Sequence, residues 1–165
     1  MDTPLVKVVF AGDGNVGKTT LIRAYTEGKF QTSRVATIGV DFFTQTVRLP
    51  QGTVRLSIWD MAGQAHFQSL RSGFYRGSRA AALVYDVTVS ETFEHLSGWQ
   101  AEILQVVPTE KFVVVGNKID LNRIPLSDSV RSFANRIGAP YFETSAKSGE
   151  GINSVFTALA ELAIN

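Results

Sequence analysis

The 165-residue sequence contains no cysteine, and this absence removes several chemistries at once. Disulfides, thiolate nucleophiles and cysteine-ligated zinc are excluded, and so is prenyl or palmitoyl attachment to this chain. The N-terminus, Met1–Asp2, shows neither a cleavable apolar stretch nor the glycine that myristoylation requires. We therefore expect a reducing compartment and no lipid anchor in this chain.

The sequence also shows no marked excess of positive or negative charge and no long apolar runs. Sixteen basic and fifteen acidic residues leave a formal net charge of +1, and they are scattered, so no nucleic-acid or membrane-surface footprint is indicated. The longest apolar runs, such as residues 80–85, are far shorter than the roughly 20 residues of a membrane span. A 44% apolar content suffices for one core. We expect a single cytoplasmic, monomeric domain over residues 1–165.

Short β-branched runs alternate with longer amphipathic stretches, which is typical of an α/β fold with a mostly parallel sheet. The strands separated by residues 50–52 must be antiparallel, because this connection is too short for a crossover. Strands are predicted over residues 5–11, 40–49, 53–59, 80–86, 112–116 and 141–142. Helices are predicted over residues 18–26, 91–107, 126–136 and 151–163. Residues 27–39 and 61–79 are left as long connections, which are usually functional.

The first predicted strand runs into GDGNVGKT at residues 12–19, a complete G-x-x-x-x-G-K-T sequence followed by a predicted helix. Its glycines allow backbone N–H groups to surround phosphate oxygens at the positive end of that helix. Lys18 would reach the outer phosphates, and the Thr19 hydroxyl would bind magnesium. The predicted phosphate ligands are Gly14, Asn15, Val16, Gly17, Lys18, Thr19 and Thr20. The alternative, an idle glycine-rich turn, does not explain the joint spacing.

Asp60 follows the third predicted strand and begins a D-x-x-G sequence that ends at Gly63. An aspartate at a strand end beside a phosphate loop can hold magnesium through water, and the Gly63 amide can approach a terminal phosphate. Without the phosphate loop, an ordinary Asp-Gly turn would be the better interpretation. The sequence therefore predicts that Asp60 shares a magnesium site with Thr19.

Two further motifs, NKID at residues 117–120 and SAK at residues 145–147, predict a base-binding site. The Asp120 carboxylate can accept hydrogen bonds from both the ring N–H and the exocyclic amine of guanine. Adenine presents an acceptor where guanine donates, and an unpaired buried carboxylate is costly, so guanine is favoured. Asn117 would tie the two loops together. The predicted base site comprises Asn117, Lys118, Asp120, Ser145, Ala146 and Lys147.

In combination, GDGNVGKT, TIGVDF, WDMAGQ, NKID and TSAK resemble the Ras superfamily of small GTPases over the whole chain. The segments TIGVDF, FYRG and VYDVT are most similar to the Rab branch. This resemblance implies a P-loop NTPase G domain with a six-stranded, mostly parallel sheet, one antiparallel strand and five helices. It also implies slow hydrolysis of GTP to GDP with Mg²⁺.

The resemblance further implies roles for residues in the two long connections. Phe30 would pack against the base, Thr37 would bind magnesium in the GTP state, and Gln64 would orient the attacking water. The expected partners are effectors, exchange factors and GTPase-activating proteins. The expected biological role is in membrane traffic or in cell-polarity regulation.

The chain departs from the family pattern at several positions. Met61 replaces the usual threonine, and Ala65 replaces the usual glutamate. The missing glutamate puts activation by a familiar exchange factor in doubt. Gly14–Asn15 replaces the Ser-Gly common in Rabs. A cysteine tail is missing, so the chain was either trimmed or never anchored. Arg34 stands three residues before Thr37, a spacing similar to that of the catalytic arginine of Gα subunits. The candidate catalytic residues are therefore Gln64, Lys18 and Arg34, with an exposed loop arginine as the alternative for Arg34.

Two other functional classes are considered. One is a scaffold that holds GTP with negligible hydrolysis, and Gln64 argues against it. The other is an ATPase or small-molecule kinase, which Asp120 disfavours. Several conspicuous residues are not assigned to the site. We expect solvated side chains at His66, on a loop, and at His95, on a helix surface, and packing roles for Trp59 and Trp99. Surface positions or partner contacts are expected for Arg71, Arg76 and Arg79.

Overall fold

A computed structural model describes residues 3–28, 40–61 and 68–165 of the chain. Its six strands are β1 (Leu5–Ala11), β2 (Val40–Leu49), β3 (Gly52–Met61), β4 (Ala80–Asp86), β5 (Lys111–Asn117) and β6 (Tyr141–Thr144). They form one sheet in the order β2-β3-β1-β4-β5-β6. The pair β2–β3 is antiparallel and every other pair is parallel, as predicted from the short turn between them.

The helices of the described residues surround this sheet. They are α1 (Lys18–Glu27), α2 (Gln68–Phe74), α3 (Ser90–Glu94), α4 (Leu96–Val106), α5 (Ser127–Arg136) and α6 (Ile152–Ile164). Only His95 separates α3 from α4, so these two form one interrupted helix and the total agrees with the five helices expected. The helix α2 lies within the predicted connection 61–79, because seven residues are too few to show a helical period.

The sheet buries both faces, as a mostly parallel sheet must. Alternate residues of β1 contribute to different clusters: Val8 and Phe10 pack with α1 and α6, whereas Val9 and Ala11 pack with α4 and α5. Every residue of β4, at the centre, is buried. This arrangement confirms the predicted α/β fold with a six-stranded, mostly parallel sheet.

Three strands extend further toward their carboxyl ends than predicted. Strand β3 includes Asp60 and Met61, which pair with Asp41 and Val40 of β2. Strands β5 and β6 end at Asn117 and Thr144, which pair with each other. The predicted ends were too early because polar residues continue the backbone ladder there. The carboxyl ends of β1, β3, β4, β5 and β6 therefore meet at one edge of the sheet, where open α/β folds bind ligands.

Candidate nucleotide-binding site

The phosphate loop, residues 12–19, joins β1 to α1 and needs glycine at two points of close backbone approach. A Cβ at Gly12 would lie 2.2 Å from the Val84 carbonyl oxygen, and a Cβ at Gly17 would lie 2.5 Å from the Asn117 amide nitrogen. Both residues also have positive φ, 149° and 95°. The loop is therefore packed directly against β4 and β5, and only glycine fits at these two positions.

Lys18, at the first position of α1, is buried within the phosphate loop. Its Nζ donates to the carbonyl oxygens of Gly12 and Asp13 at 2.7 and 2.8 Å. Burial lowers the pKa of Lys18 to about 8, while the charges of Asp60 and Asp13 oppose that change. An anion bound in this loop would raise the pKa again, so the ammonium is placed to bind phosphate.

Thr19 and Asp60 come together beside Lys18, although 41 positions separate them in the sequence. The Thr19 hydroxyl donates to Oδ2 of Asp60, and Asp60 is completely buried at the end of β3. A hydroxyl and a carboxylate are hard oxygen donors of the kind that Mg²⁺ prefers. The donor set that the sequence predicted for magnesium is thus assembled in part by these two residues.

Asn117 connects three segments at the carboxyl edge of the sheet. Its side-chain amide donates to the Val16 carbonyl oxygen at 3.0 Å, and its side-chain oxygen accepts from the Thr144 hydroxyl at 2.9 Å. Asn117 and Thr144 are both buried. These contacts fix the phosphate loop relative to β5 and β6, and hence relative to the two base-binding motifs.

The loops that follow β5 and β6 are also joined to each other. The Ser145 hydroxyl donates to Oδ1 of Asp120 at 2.7 Å, which orients that carboxylate. Lys118 donates to the Asn15 carbonyl oxygen at 2.6 Å and pairs with Asp86 at 2.9 Å. Ala146 is buried, whereas Lys147 and Asp120 are exposed at the edge of the site. An oriented, accessible carboxylate at this point can select a base by hydrogen bonding.

The structure brings most of the predicted site residues to one edge of the sheet. Of the remainder, Gly14 and Thr20 belong to the phosphate loop and the first turn of α1. Five predicted residues lie outside the described residues. They are Phe30, Arg34, Thr37, Gly63 and Gln64.

Asp13 is a site residue that sequence reasoning missed. Its carboxylate accepts from Trp99 Nε1 at 2.9 Å and contacts His95 Nδ1 at 2.5 Å. His95 is exposed, as predicted, but its contact with Asp13 was not predicted, and Trp99 has a polar role in addition to packing. The partners are 82 and 86 positions from Asp13, so no local pattern in a single sequence could reveal them.

The predicted surface position of Arg71 was also wrong. Arg71 is 4% exposed and forms two hydrogen bonds with Glu102 of α4, at 2.9 and 2.8 Å. The guanidinium also lies over the Trp99 ring, 4.3 Å from its centroid. Its position within the unpredicted helix α2 explains the error, since helix α2 turns this residue toward α4.

Trp59 belongs to an aromatic cluster rather than to the core alone. Phe42, Trp59 and Phe74 form this cluster, with ring centroids 4.6 to 6.5 Å apart. Phe42 is 55% exposed, and the other two rings are half-buried. An exposed group of large rings on a folded domain marks a candidate surface for another protein.

Comparison with known proteins agrees with this site. Residues 7–165 match the Ras family. The chain belongs to the Ras family of small GTPases. The GTPase is 43% identical to the Ras-related protein Rab7 of Prunus armeniaca, over 98% of this chain and 83% of that protein. It is 44% identical to the Ras-related protein Rab-7a of Dictyostelium discoideum, over 97% and 83%. These matches confirm the Rab branch.

Similarity to a third relative gives the same result. The GTPase is 43% identical to the Ypt/Rab-type GTPase avaA of Emericella nidulans, over 97% of this chain and 82% of that protein. It is therefore a guanine-nucleotide switch that hydrolyses GTP, and the permanently GTP-bound scaffold is not favoured. Within the described ranges, no helix has both the length and the apolar character needed to cross a membrane.

Proposed function

We propose that residues 1–165 form one G domain and that GTP or GDP binds with Mg²⁺ across the phosphate loop and the loops after β5 and β6. Two hydrogen bonds carry this proposal: the one that Asn117 donates to Val16 and the one that it accepts from Thr144. Together they set the distance between the phosphate and base regions. A rigid spacing between two half-sites lowers the cost of ordering a ligand that spans both.

The individual roles follow from chemistry and position. Gly14, Asn15, Val16 and Gly17 would present backbone N–H groups to phosphate, with Lys18 as the cation and Thr20 at the first turn of α1. Asp120, held by Ser145, would accept from guanine, and the Ala146 amide would donate to the base carbonyl. The stems of Lys118 and Lys147 would cover the two ring faces, and Phe30 would pack at the edge of the base.

Mg²⁺ would be held by the Thr19 hydroxyl, by Asp60 through water, and in the GTP state by Thr37. Bound Mg²⁺ neutralises charge on the phosphates. Gln64 would orient the attacking water, Lys18 would stabilise the charge that develops on the phosphates, and the Gly63 amide would approach the terminal phosphate. Arg34 would stabilise the transition state from within the same chain.

The aromatic cluster of Phe42, Trp59 and Phe74 would bind effector proteins. Phe42 and Trp59 lie on β2 and β3, beside the two long connections of residues 27–39 and 61–79, and Phe74 lies on α2 within the second connection. By the same resemblance to small GTPases, these two connections would be the switch loops. A rearrangement of those loops on hydrolysis would therefore reach this surface. The switch would act in membrane traffic, as resemblance to the Rab branch implies, with exchange factors and GTPase-activating proteins setting its state.

The base site is tested by an Asp120→Asn variant. An asparagine amide donates where guanine also donates, whereas xanthine offers an oxygen acceptor at that position. We expect GTP affinity to fall at least about 100-fold, since a polar mismatch in such a site costs about 3 kcal/mol or more. Affinity for xanthosine triphosphate should rise. Competition between the two nucleotides for the purified protein in Mg²⁺ measures both changes.

Asp128→Asn, which changes an exposed acid in the first turn of α5, is the matched control and should retain guanine preference. Equal binding of GTP and ATP by the parent protein would contradict the assignment of Asp120. So would an Asp120→Asn variant that keeps the parental preference.

A further inference from the structure

His95 occupies the single-residue break between α3 and α4 and contacts the phosphate loop. Its backbone remains close to helical, at φ −80° and ψ −9°, with its N–H bonded to Glu91 and its carbonyl oxygen bonded to Trp99. Nδ1 lies 2.5 Å from Asp13 Oδ2, although 57% of the imidazole is exposed. A rigid backbone thus presents a titratable ring to the loop that is proposed to hold the phosphates.

The other oxygen of the same carboxylate is held by a group that does not titrate. Trp99 Nε1 donates to Asp13 Oδ1 at 2.9 Å, and the Arg71 guanidinium lies over the indole. The Asp13 carboxylate therefore contacts one donor that is always neutral, the Trp99 indole, and one donor whose charge depends on pH, the His95 imidazole. The contact through Trp99 positions the loop at every pH, whereas the strength of the contact through His95 varies.

We propose that His95 is a positioning residue for the nucleotide: as the imidazolium it holds Asp13 and the phosphate loop against the α3–α4 junction, so that protonation of His95 slows nucleotide release. This inference rests on the proposed function. The backbone of Asp13 accepts from Lys18, so a displacement of Asp13 also displaces the proposed phosphate-binding cation. An uncompensated Asp13 carboxylate would also compete with phosphate for that cation.

The charged groups that face His95 from the described residues all favour its protonation. The hydrogen bond and charge of Asp13 raise its pKa most, and the charges of Glu91 and Glu94 on α3 raise it further. The cations Lys18 and Arg71 contact Asp13 and Trp99, the neighbours of His95 in this cluster. His95 should therefore remain protonated to a higher pH than an ordinary histidine.

The exposure of the His95 imidazole limits how much the rate of nucleotide release can change with pH. Exposed ion pairs contribute little, so release should accelerate about two- to fivefold between pH 6 and pH 8.5. This change is within the precision of a fluorescent-nucleotide displacement assay. A neutral imidazole can still donate from Nδ1, and for this reason the effect is a change of rate and not a loss of binding.

The charge pair itself is tested first by NMR. The chain has two histidines, His66 and His95, so a His95→Asn spectrum assigns both ring signals. We expect His95 in the GDP-bound protein to titrate above 6.5 and to titrate lower in an Asp13→Asn variant. A His95 titration that Asp13→Asn leaves unchanged would overturn the pairing, whatever the protein does with nucleotide.

The kinetic consequence is tested by dissociation of labelled GDP in Mg²⁺ from pH 5.5 to pH 8.5. The parent should release GDP more slowly at low pH, and His95→Asn should release it at a nearly constant rate close to the parental rate at high pH. Glu161→Gln, an exposed change on α6 that is not among the charges affecting the His95 pKa, should keep the parental pH dependence.

Two outcomes would overturn the kinetic inference. One is a parental rate that does not depend on pH, and the other is a His95→Asn variant with the parental profile. A protein that binds no GDP would instead refute the proposed function. The NMR titration of His95 in that protein would still report on its pairing with Asp13, so the two failures are distinguishable.

Discussion

At the scale of single residues, a few buried polar side chains determine how the loops of this GTPase are arranged. The side chain of Asn117 donates one hydrogen bond to Val16 and accepts one from the Thr144 hydroxyl. Thr144 is completely buried. Leaving such groups unpaired costs about 1–3 kcal/mol each. The positions of the nucleotide-binding loops therefore depend on hydrogen bonds that water cannot replace.

Gly17→Ala should separate the phosphate loop from β5. An added Cβ would lie 2.5 Å from the Asn117 amide nitrogen at a residue with φ 95°, so the loop must move and the bond from Asn117 to Val16 must break. We expect GDP affinity to fall at least about tenfold, the equivalent of one lost hydrogen bond. Equilibrium binding of labelled GDP provides the measurement.

Gly77→Ala is the matched control for this change. Gly77 also has positive φ, 80°, but no atom lies within 4 Å of a Cβ built there. It should lose about 1 kcal/mol of stability through backbone strain and retain GDP affinity. If the two variants bound GDP equally well, the close contact between the loop and Asn117 would not matter for binding.

Glu110 should make folding stability depend on pH. Its buried carboxylate has no well-aligned hydrogen bond within the described part of the chain. The Ser78 hydroxyl and the Lys111 amide lie close enough to lower the pKa of Glu110 in part, but burial has the larger effect. Burial raises its pKa from 4.5 to about 7. The folded state then binds the proton more tightly than the unfolded state, so this contribution is complete below pH 4.5 and is lost as pH rises through about 7.

Glu110→Gln should remove this loss, which amounts to roughly 3 kcal/mol at most. The free energy of unfolding in urea, measured at pH 5 and pH 8 with saturating GDP, should decrease less with pH in the variant than in the parent. Lys111→Gln, a change at the next residue, is a control that should keep the parental slope. Parallel slopes for Glu110→Gln and the parent would show that Glu110 stays ionised in the folded protein.

The residues of the site were predictable to different degrees. Lys18, Thr19, Asp60 and Asn117 stand in motifs with fixed spacing, so the chemistry of phosphate, magnesium and base could be predicted from them. His95 could not be predicted as a partner of Asp13, because that contact depends on where α3 breaks and how α4 crosses the loop. Tertiary contacts between distant positions leave no signal in one sequence.

At the scale of elements, helix α2 is tied to α4 by a buried ion pair. Arg71 forms two bonds with Glu102, and the Tyr75 hydroxyl donates to the same carboxylate. Burial and the bond with Glu102 raise the pKa of Tyr75, so its hydroxyl remains a donor. This cluster fixes the C-terminal half of α2, which follows the segment that carries Gly63 and Gln64.

Glu102→Ala should release α2 from α4. Removing one partner leaves the Arg71 charge buried, and such a change costs about 3–5 kcal/mol in a fully buried pair. We expect the amides of α2 to exchange hydrogen faster by at least about tenfold, while those of β4 change little. Glu161→Ala, at an exposed position of α6, is the control. Unchanged exchange in α2 would show that packing alone holds this helix.

The bounds of the strands and helices show how far the hydrophobic pattern of the sequence predicts secondary structure. The bounds of β1, β2 and β4 agree with the prediction. The predicted helix over residues 91–107 is interrupted at His95, and α2 was not predicted from the pattern. Both differences involve short stretches whose conformation is decided by contacts with α4 and the phosphate loop rather than by local propensity.

At the scale of the whole molecule, the sheet brings together motifs that are a hundred residues apart. The phosphate loop follows β1 and the NKID motif begins at the end of β5; these connections meet at one edge although β4 lies between the two strands. A nucleotide bound across them would stabilise the folded state by mass action. The fold class and the order of motifs were predictable because parallel strands put their carboxyl ends together. The aromatic cluster was not, since its exposure depends on how β2, β3 and α2 meet.

Single-turnover GTP hydrolysis by the purified protein in Mg²⁺ tests whether this chain is a guanine-nucleotide switch that times its own turnover. We expect conversion of bound GTP to GDP at a rate between those of Ras-type and Gα-type enzymes, about 10⁻⁴ to 10⁻² per second. Gln64→Leu should abolish it, and Arg34→Ala should slow it if Arg34 acts on the transition state. Tightly bound GTP that persists unhydrolysed in the parent would show that this chain does not hydrolyse GTP by itself.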